Sequence, residues 1–210
     1  MLLVAEGPSA AAVTAQGALA GQVMVLGFAC AYAIASARAT PLSSLVAALV
    51  VTAGLGAGAH VATGAFTWSG LAVLPMALVA LRLWRTEQDP TTAPTKRPGA
   101  QLVVRAVLAG VLVAGLSTAS HLLGAGLVGV LAGVPLVMSV VAPSIHRDAG
   151  SPAARSMLRG GLTVVPGTAT FAAVLAVTLV PLGGPVAFAT AGVAMALVNV
   201  GVTRWGDRIR

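Results

Sequence analysis

Between Gly160 and Thr203 the chain reads GGLTVVPGTATFAAVLAVTLVPLGGPVAFATAGVAMALVNVGVT, 44 residues without one Asp, Glu, Lys or Arg. A helical crossing of a bilayer needs about 20 apolar residues at 1.5 Å per residue, so this stretch has room for two. Pro181-Leu-Gly-Gly-Pro185 divides it with the composition of a turn. Its Ala- and Leu-rich halves lack the alternation of a membrane barrel, and only helices or closed barrels satisfy their backbone in lipid. The stretch therefore predicts two membrane helices joined by a tight turn.

The same measure applied upstream gives the rest of the fold. Gly7–Ala37 is charge-free over 31 residues, Ala39–Leu81 over 43 and Ala106–His146 over 41. One span fits the first and two fit each of the others. The expected architecture is an all-α, polytopic transmembrane helix bundle of about seven spans: 10–36, 41–60, 67–84, 102–121, 125–145, 156–180 and 184–204. Membrane helices one to three fall within 1–85 and helices four to seven within 102–210. Between them, 86–101 carries Pro90, Pro94 and Pro98 among threonines and mixed charge, the composition of a flexible linker. The N-terminus has no basic segment and too short an apolar run to read as a cleavable signal.

Composition closes off other classes. The chain is 58% apolar and 8% charged, with a mean hydropathy of +0.97, whereas soluble domains carry about 25% charged residues. Disorder needs the opposite balance. The single cysteine, Cys30, excludes a disulfide framework and multi-cysteine metal sites; mid-span, it reads as a small apolar filler. The net charge of +7 comes from basic residues placed between apolar runs, so it reads as a topology signal and not as nucleic-acid binding.

With seven crossings, Arg38 and the groups Arg82–Arg105, Arg147–Arg159 and Arg204–Arg210 fall on one side. That side holds all twelve Lys/Arg, and the other keeps only Glu6. By the positive-inside rule the basic side is cytoplasmic, which predicts an inner-membrane protein with its N-terminus outside and its C-terminus inside. Trp68, Trp84 and Trp205 stand at expected span ends, where indoles prefer the headgroup zone.

An offset of 143 residues aligns Gly7–Ala33 with Gly150–Ala176. Gly7, Ala10, Ala11, Gly17, Leu19, Phe28, Ala29 and Ala33 recur at Gly150, Ala153, Ala154, Gly160, Leu162, Phe171, Ala172 and Ala176. The repeated helix is span one in one half and span six in the other, so the copies run in opposite directions, as in the inverted repeats of many secondary transporters. Two spans precede the second copy but none precedes the first, which predicts two further upstream helices in the natural protein or its relatives. The stretches Gly129-Val-Leu-Ala-Gly-Val-Pro135-Leu, His146-Arg147-Asp-Ala-Gly150-Ser-Pro-Ala-Ala154 and Leu158-Arg159-Gly160 resemble a group of uncharacterised bacterial inner-membrane proteins with two related halves. Glu6-Gly-Pro-Ser-Ala-Ala-Ala with Gly17-Ala-Leu-Ala-Gly21 is the first-half counterpart. The resemblance implies architecture, with no activity attached. A ratio of eleven Arg to one Lys suggests a high-GC bacterial genome.

Chemistry inside the spans is sparse. No Asp or Glu lies in mid-span and no phosphate-binding glycine loop occurs, so paired-carboxylate catalysis and ATP-driven coupling lack their residues. No cofactor is expected. His60 and His121, at the outer ends of their spans, are the candidates for a metal or proton relay; they read equally as interfacial histidines, and His146 reads as a loop residue near headgroups. Pro135 and Pro166 fall inside spans and free backbone carbonyls. With Ser139, Thr168, Thr170 and Asn199 they form a neutral polar substrate site if the breaks share a cavity. Gln16 and Gln22, in span one, are its most polar neighbours. Gly17/Gly21, Gly54/Gly58 and Gly129/Gly133 have the four-residue spacing that lets helices approach, within the fold or in a homo-oligomer or membrane partner. The leading expectation is a small permease or exporter component for a neutral or amphipathic solute. A non-catalytic membrane subunit that anchors or stabilises a partner comes second, and an intramembrane enzyme on a lipid-linked substrate third.

Overall fold

The computed structural model describes residues 7–61, 76–77, 107, 110–111, 114 and 135–207. They form helices α1 (Gly7–Ala35), α2 (Pro41–Val61), α3 (Leu136–Leu162), α4 (Val165–Leu182) and α5 (Gly184–Asp207). Among the described residues, four helical runs are long and apolar enough to cross a membrane. The described residues are thus all-helical, with helices compatible in length and composition with a membrane location. Nearly all of expected spans three and four, the first part of span five (125–134), the 86–101 linker and His121 lie outside the described residues, as do both Trp68 and Trp84.

Each junction has a local cause. After α1, Thr40 opens α2: its hydroxyl accepts the Ser43 N–H at 3.4 Å, and Pro41 supplies a first helical residue whose missing N–H costs nothing there. α3 is not straight. Gly150, at φ 85° and ψ 169°, interrupts it in a region open essentially to glycine alone. The chain folds back there, because a Cβ on Gly161 would collide with Met138 of the opposite arm. The arms 136–149 and 151–162 are therefore the end of expected span five and the start of span six, with the intervening loop reduced to little more than one glycine. Gly183, at φ 73° and ψ 164°, makes the equally short turn from α4 to α5.

Span six differs from the sequence expectation in its middle. Thr163 and Val164 form a turn between α3 and α4, and Pro166 sits in the first turn of α4 instead of within a continuous helix. Val164 stays helical at φ −87° and ψ −23°, and its carbonyl accepts the Thr168 N–H at 3.1 Å. The helix bends here without changing direction, as a proline lacking its own N–H requires.

α1 is the hub. It packs along α2 and along α4, while α5 packs chiefly on α4. Contacts from Gln22 to Thr168 and from Ser36 to Ser151 show that α1 runs opposite to the second arm of α3 and α4. One core cluster joins Leu19, Leu26, Phe28, Ala29 and Tyr32 to Ala48, Ala142, Leu158, Leu162 and Ala169. A second joins Ala12 and Ala15 to Leu175, Leu179, Ala187 and Ala191. These contacts gather Arg38, Arg147, Arg155 and Arg159 toward one end of the packed helices.

Several residues 143 apart share a torsion or a burial. Gly7 and Gly150 have φ of 86° and 85°. Ala15 and Leu158, Leu19 and Leu162, Leu26 and Ala169, Ala29 and Ala172, and Tyr32 and Leu175 are buried at matching positions. The same offset carries Ser44 and Ala48 of α2 onto Ala187 and Ala191 of α5, all four fully buried.

Candidate functional site

The polar groups that face neighbouring helices concentrate at the bend of α4. Thr168 Oγ1 lies 3.0 Å from Gln22 Oε1 and 3.0 Å from the Val165 carbonyl. One hydroxyl hydrogen serves one of these acceptors at a time. With the Gln22 amide turned round, its NH2 would donate to Thr168 while Thr168 donates to Val165, and every group would be satisfied. Gln22 lies near the middle of α1 (Gly7–Ala35), roughly 20 Å from either end at 1.5 Å per residue, so this bond joins the helices far from both ends of α1.

One residue away, Gly167 meets Asn199 of α5. A Cβ on Gly167 would collide with the Asn199 carboxamide, so only glycine lets that amide lie against the α4 backbone. Asn199 Oδ1 is buried and has no hydrogen-bond partner among the described residues. A buried carbonyl left without a donor costs about 1–3 kcal/mol, and in lipid no water is at hand to replace it.

The remaining sequence candidates do not join this group. Thr170 donates to the Pro166 carbonyl at 2.8 Å and Ser139 to the Leu136 carbonyl at 2.8 Å, the local back-bonds by which hydroxyls satisfy themselves inside helices. Pro135 caps α3 with its carbonyl accepting the Ser139 N–H at 2.8 Å. Gln16 is half-buried on α1 with no hydrogen-bond partner among the described residues. The backbone of His60 belongs to α2, but its side chain, like the whole of His121, lies outside what is described. Among the described residues no group of three His, Cys, Asp or Glu side chains gathers as a metal site.

Two features escaped the sequence reading. Among the described residues, a Cβ on Gly54 or Gly58 would meet nothing within 4 Å; the contact-making glycines of this hairpin are Gly27, against Leu55, and Gly56, where a Cβ would stand 3.1 Å from Met24 Cε. Their partners sit on another helix, which spacing along one helix does not reveal. The second feature lies at the Gly150 turn. Tyr32 Oη is 3.2 Å from His146 Nδ1, and Ser151 Oγ donates to Ser36 Oγ at 3.4 Å, so α1 is tied to both arms of α3. His146 stands one residue past the expected end of span five. Burial first, and the Arg155 guanidinium second, hold its pKa below the ordinary imidazole value, which leaves the ring neutral at pH 7. Compared with family models, with curated proteins and with solved structures, the chain matches none, so the meaning of both features rests on its own residues.

Proposed function

We propose that the chain is a small permease or exporter component of a cell membrane for a neutral or amphipathic solute, handled at the bend of α4. In this reading α1–α2 and the 151–182 helix with α5 are inverted copies of one hairpin. Their matching glycine torsions and burial support the relation. The antiparallel crossing of α1 on α4, joined by the Gln22–Thr168 bond, is the arrangement that inverted copies would have. Substrate sites of inverted-repeat transporters lie near the midplane at discontinuous helices. The observation that carries the proposal is the buried, unpartnered Asn199 Oδ1 against Gly167. An acceptor there calls for a hydroxyl or amide donor, and the lack of mid-span carboxylates favours an uncharged one. The basic end faces the cytoplasm, with the N-terminus outside.

The test is flux in proteoliposomes, using a panel of a polyol, a simple amide and a long-chain alcohol. At least one should cross faster than in protein-free vesicles, and Asn199→Met should remove the excess rate while remaining folded. An unchanged rate in Asn199→Met, or no excess for any solute, counts against the site. Orientation is read separately in a Cys30→Ala background: Leu182→Cys should label from outside and Ala37→Cys from inside. The subunit reading has its own support in α5, whose Val186, Val193, Leu197 and Val200 are exposed among the described residues; it predicts a co-purifying membrane partner and no flux.

A further inference from the structure

At the basic end, the Gly150 turn brings three segments together. His146 comes from the first arm of α3, Ser151 and Arg155 from the second, and Tyr32 and Ser36 from α1. Arg155 Nε is buried and has no hydrogen-bond partner among the described residues, while Asp148 and Arg159 nearby in sequence each have interactions of their own. A guanidinium is always charged, and its Nε–H and one Nη–H form a planar fork matched to two oxygens of one anion. The hydrogen bonds around it fix the chemistry further. Tyr32 Oη and His146 Nδ1 pair with either one as donor; in the tautomer whose Nδ1 accepts, Nε2 carries the hydrogen and is left as a donor. Ser151 donates to Ser36, which donates to the Ala33 carbonyl at 3.0 Å, so both hydroxyls are oriented by the protein.

We infer that this cluster is a phosphate-binding site, in which the Arg155 fork and His146 Nε2–H hold a phosphate group at the cytoplasmic end of the bundle. A monoester or diester phosphate fits better than a carboxylate, because its additional oxygens can reach the fork and the imidazole together. The depth fits a lipid headgroup: Arg155 sits one turn from Gly150, where α1 also ends. The site is separate from the α4 bend and stands whether or not a solute crosses there.

The full chain in nanodiscs of phosphatidylcholine, with and without phosphatidic acid, tests it by native mass spectrometry and thermal unfolding. Wild type should retain phosphatidic acid, and Arg155→Gln should weaken retention by about tenfold, the loss expected of a charge-assisted pair. His146→Gln should weaken it less, and Arg147→Gln, on an exposed arginine of the same turn, should leave it unchanged. Should Arg155→Gln unfold, His146→Gln against Arg147→Gln still decides. Inorganic phosphate added to phosphatidylcholine discs separates the sources: stabilisation that depends on Arg155, with no preference for phosphatidic acid, assigns the site to a soluble phosphate. Equal losses in the Arg147 and Arg155 variants, or no response to either phosphate source, overturn the proposal.

Discussion

The two hairpins cross at equivalent positions and fill the crossing in opposite ways. In α1–α2, Met24 of the first helix reaches over Gly56 of the second; in α4–α5, Asn199 of the second helix lies against Gly167 of the first. The offset of 143 carries Met24 onto Gly167 and Gly56 onto Asn199, so the large and small partners have changed places. Both exchanges keep the helices close, which in lipid depends on packing because hydrophobicity gives no preference between a helix and a lipid tail. Only one of them installs a polar atom. The first crossing is closed by a flexible thioether that needs no hydrogen bond; the second holds a carbonyl oxygen that has none. This difference is why the α4 bend, and not its counterpart in α1, is the candidate for binding.

The largest expected effect comes from filling the second crossing. Gly167→Leu drives a side chain into the Asn199 amide, and overpacking of this kind costs about 1–3 kcal/mol or more, read as a lower unfolding temperature in detergent. Gly56→Ala should be close to neutral, because the methyl group it meets ends a flexible chain. A Gly167→Ala change combined with Asn199→Ala should recover much of the loss of Gly167→Ala alone, since the two side chains share one space. Equal costs at Gly56 and Gly167 would erase the contrast between the crossings.

Next comes the torsion that the hairpin entrances share. Gly150→Ala meets only the Pro152 ring at 3.6 Å, so sterics with neighbours are minor and the backbone itself sets the penalty. A non-glycine residue at that φ and ψ costs about 1–3 kcal/mol. Gly7→Ala, at an equally positive φ with nothing within 4 Å of an added Cβ among the described residues, should cost less, because a helix end relaxes more easily than a turn between two packed arms. Thermal unfolding of the two variants side by side checks this, and a harmless Gly150→Ala would mean that the turn does not require its glycine.

Smaller still is the bond between the hairpins. Thr168→Val removes the hydroxyl that meets Gln22, and single interhelical hydrogen bonds in membranes are worth about 0.6 kcal/mol on average and up to ~1.7. Gln22→Leu together with Thr168→Val should cost less than the sum of the single changes, because removing both partners leaves no polar group stranded. Strict additivity would show that the two groups do not rely on each other.

Sequence carried the helix inventory well where charge and length decide it. The expected spans 10–36, 41–60 and 184–204 lie on α1, α2 and α5 with ends a few residues apart, because a charge-free run of fixed length has few other solutions. Pro166 announced a bend, because proline restricts the backbone locally; the turn at Gly150 falls within the loop expected between spans five and six. Pairwise matters were illegible. Gly167 with Asn199 and Gly56 with Met24 lie 32 residues apart, and which glycine meets which side chain depends on the rotation of each helix. His146 read as a loop residue for the same reason: its partners Tyr32 and Arg155 become visible only once α3 folds back on itself.

The smallest change in stability should accompany the largest change in proposed function. Asn199→Met makes the second crossing resemble the first, with a thioether over a glycine. It removes a buried acceptor whose unmet hydrogen bond costs about 1–3 kcal/mol and replaces it with a side chain that adapts its shape. Gly167 is unchanged, so the longer side chain must route around the same backbone, and that rearrangement offsets part of the gain. The expected net effect is within about 1 kcal/mol of wild type, measured by thermal unfolding, with solute flux abolished in proteoliposomes. A variant that is clearly less stable would show that the amide holds the crossing together, and the contrast between the two hairpins would then be one of packing alone.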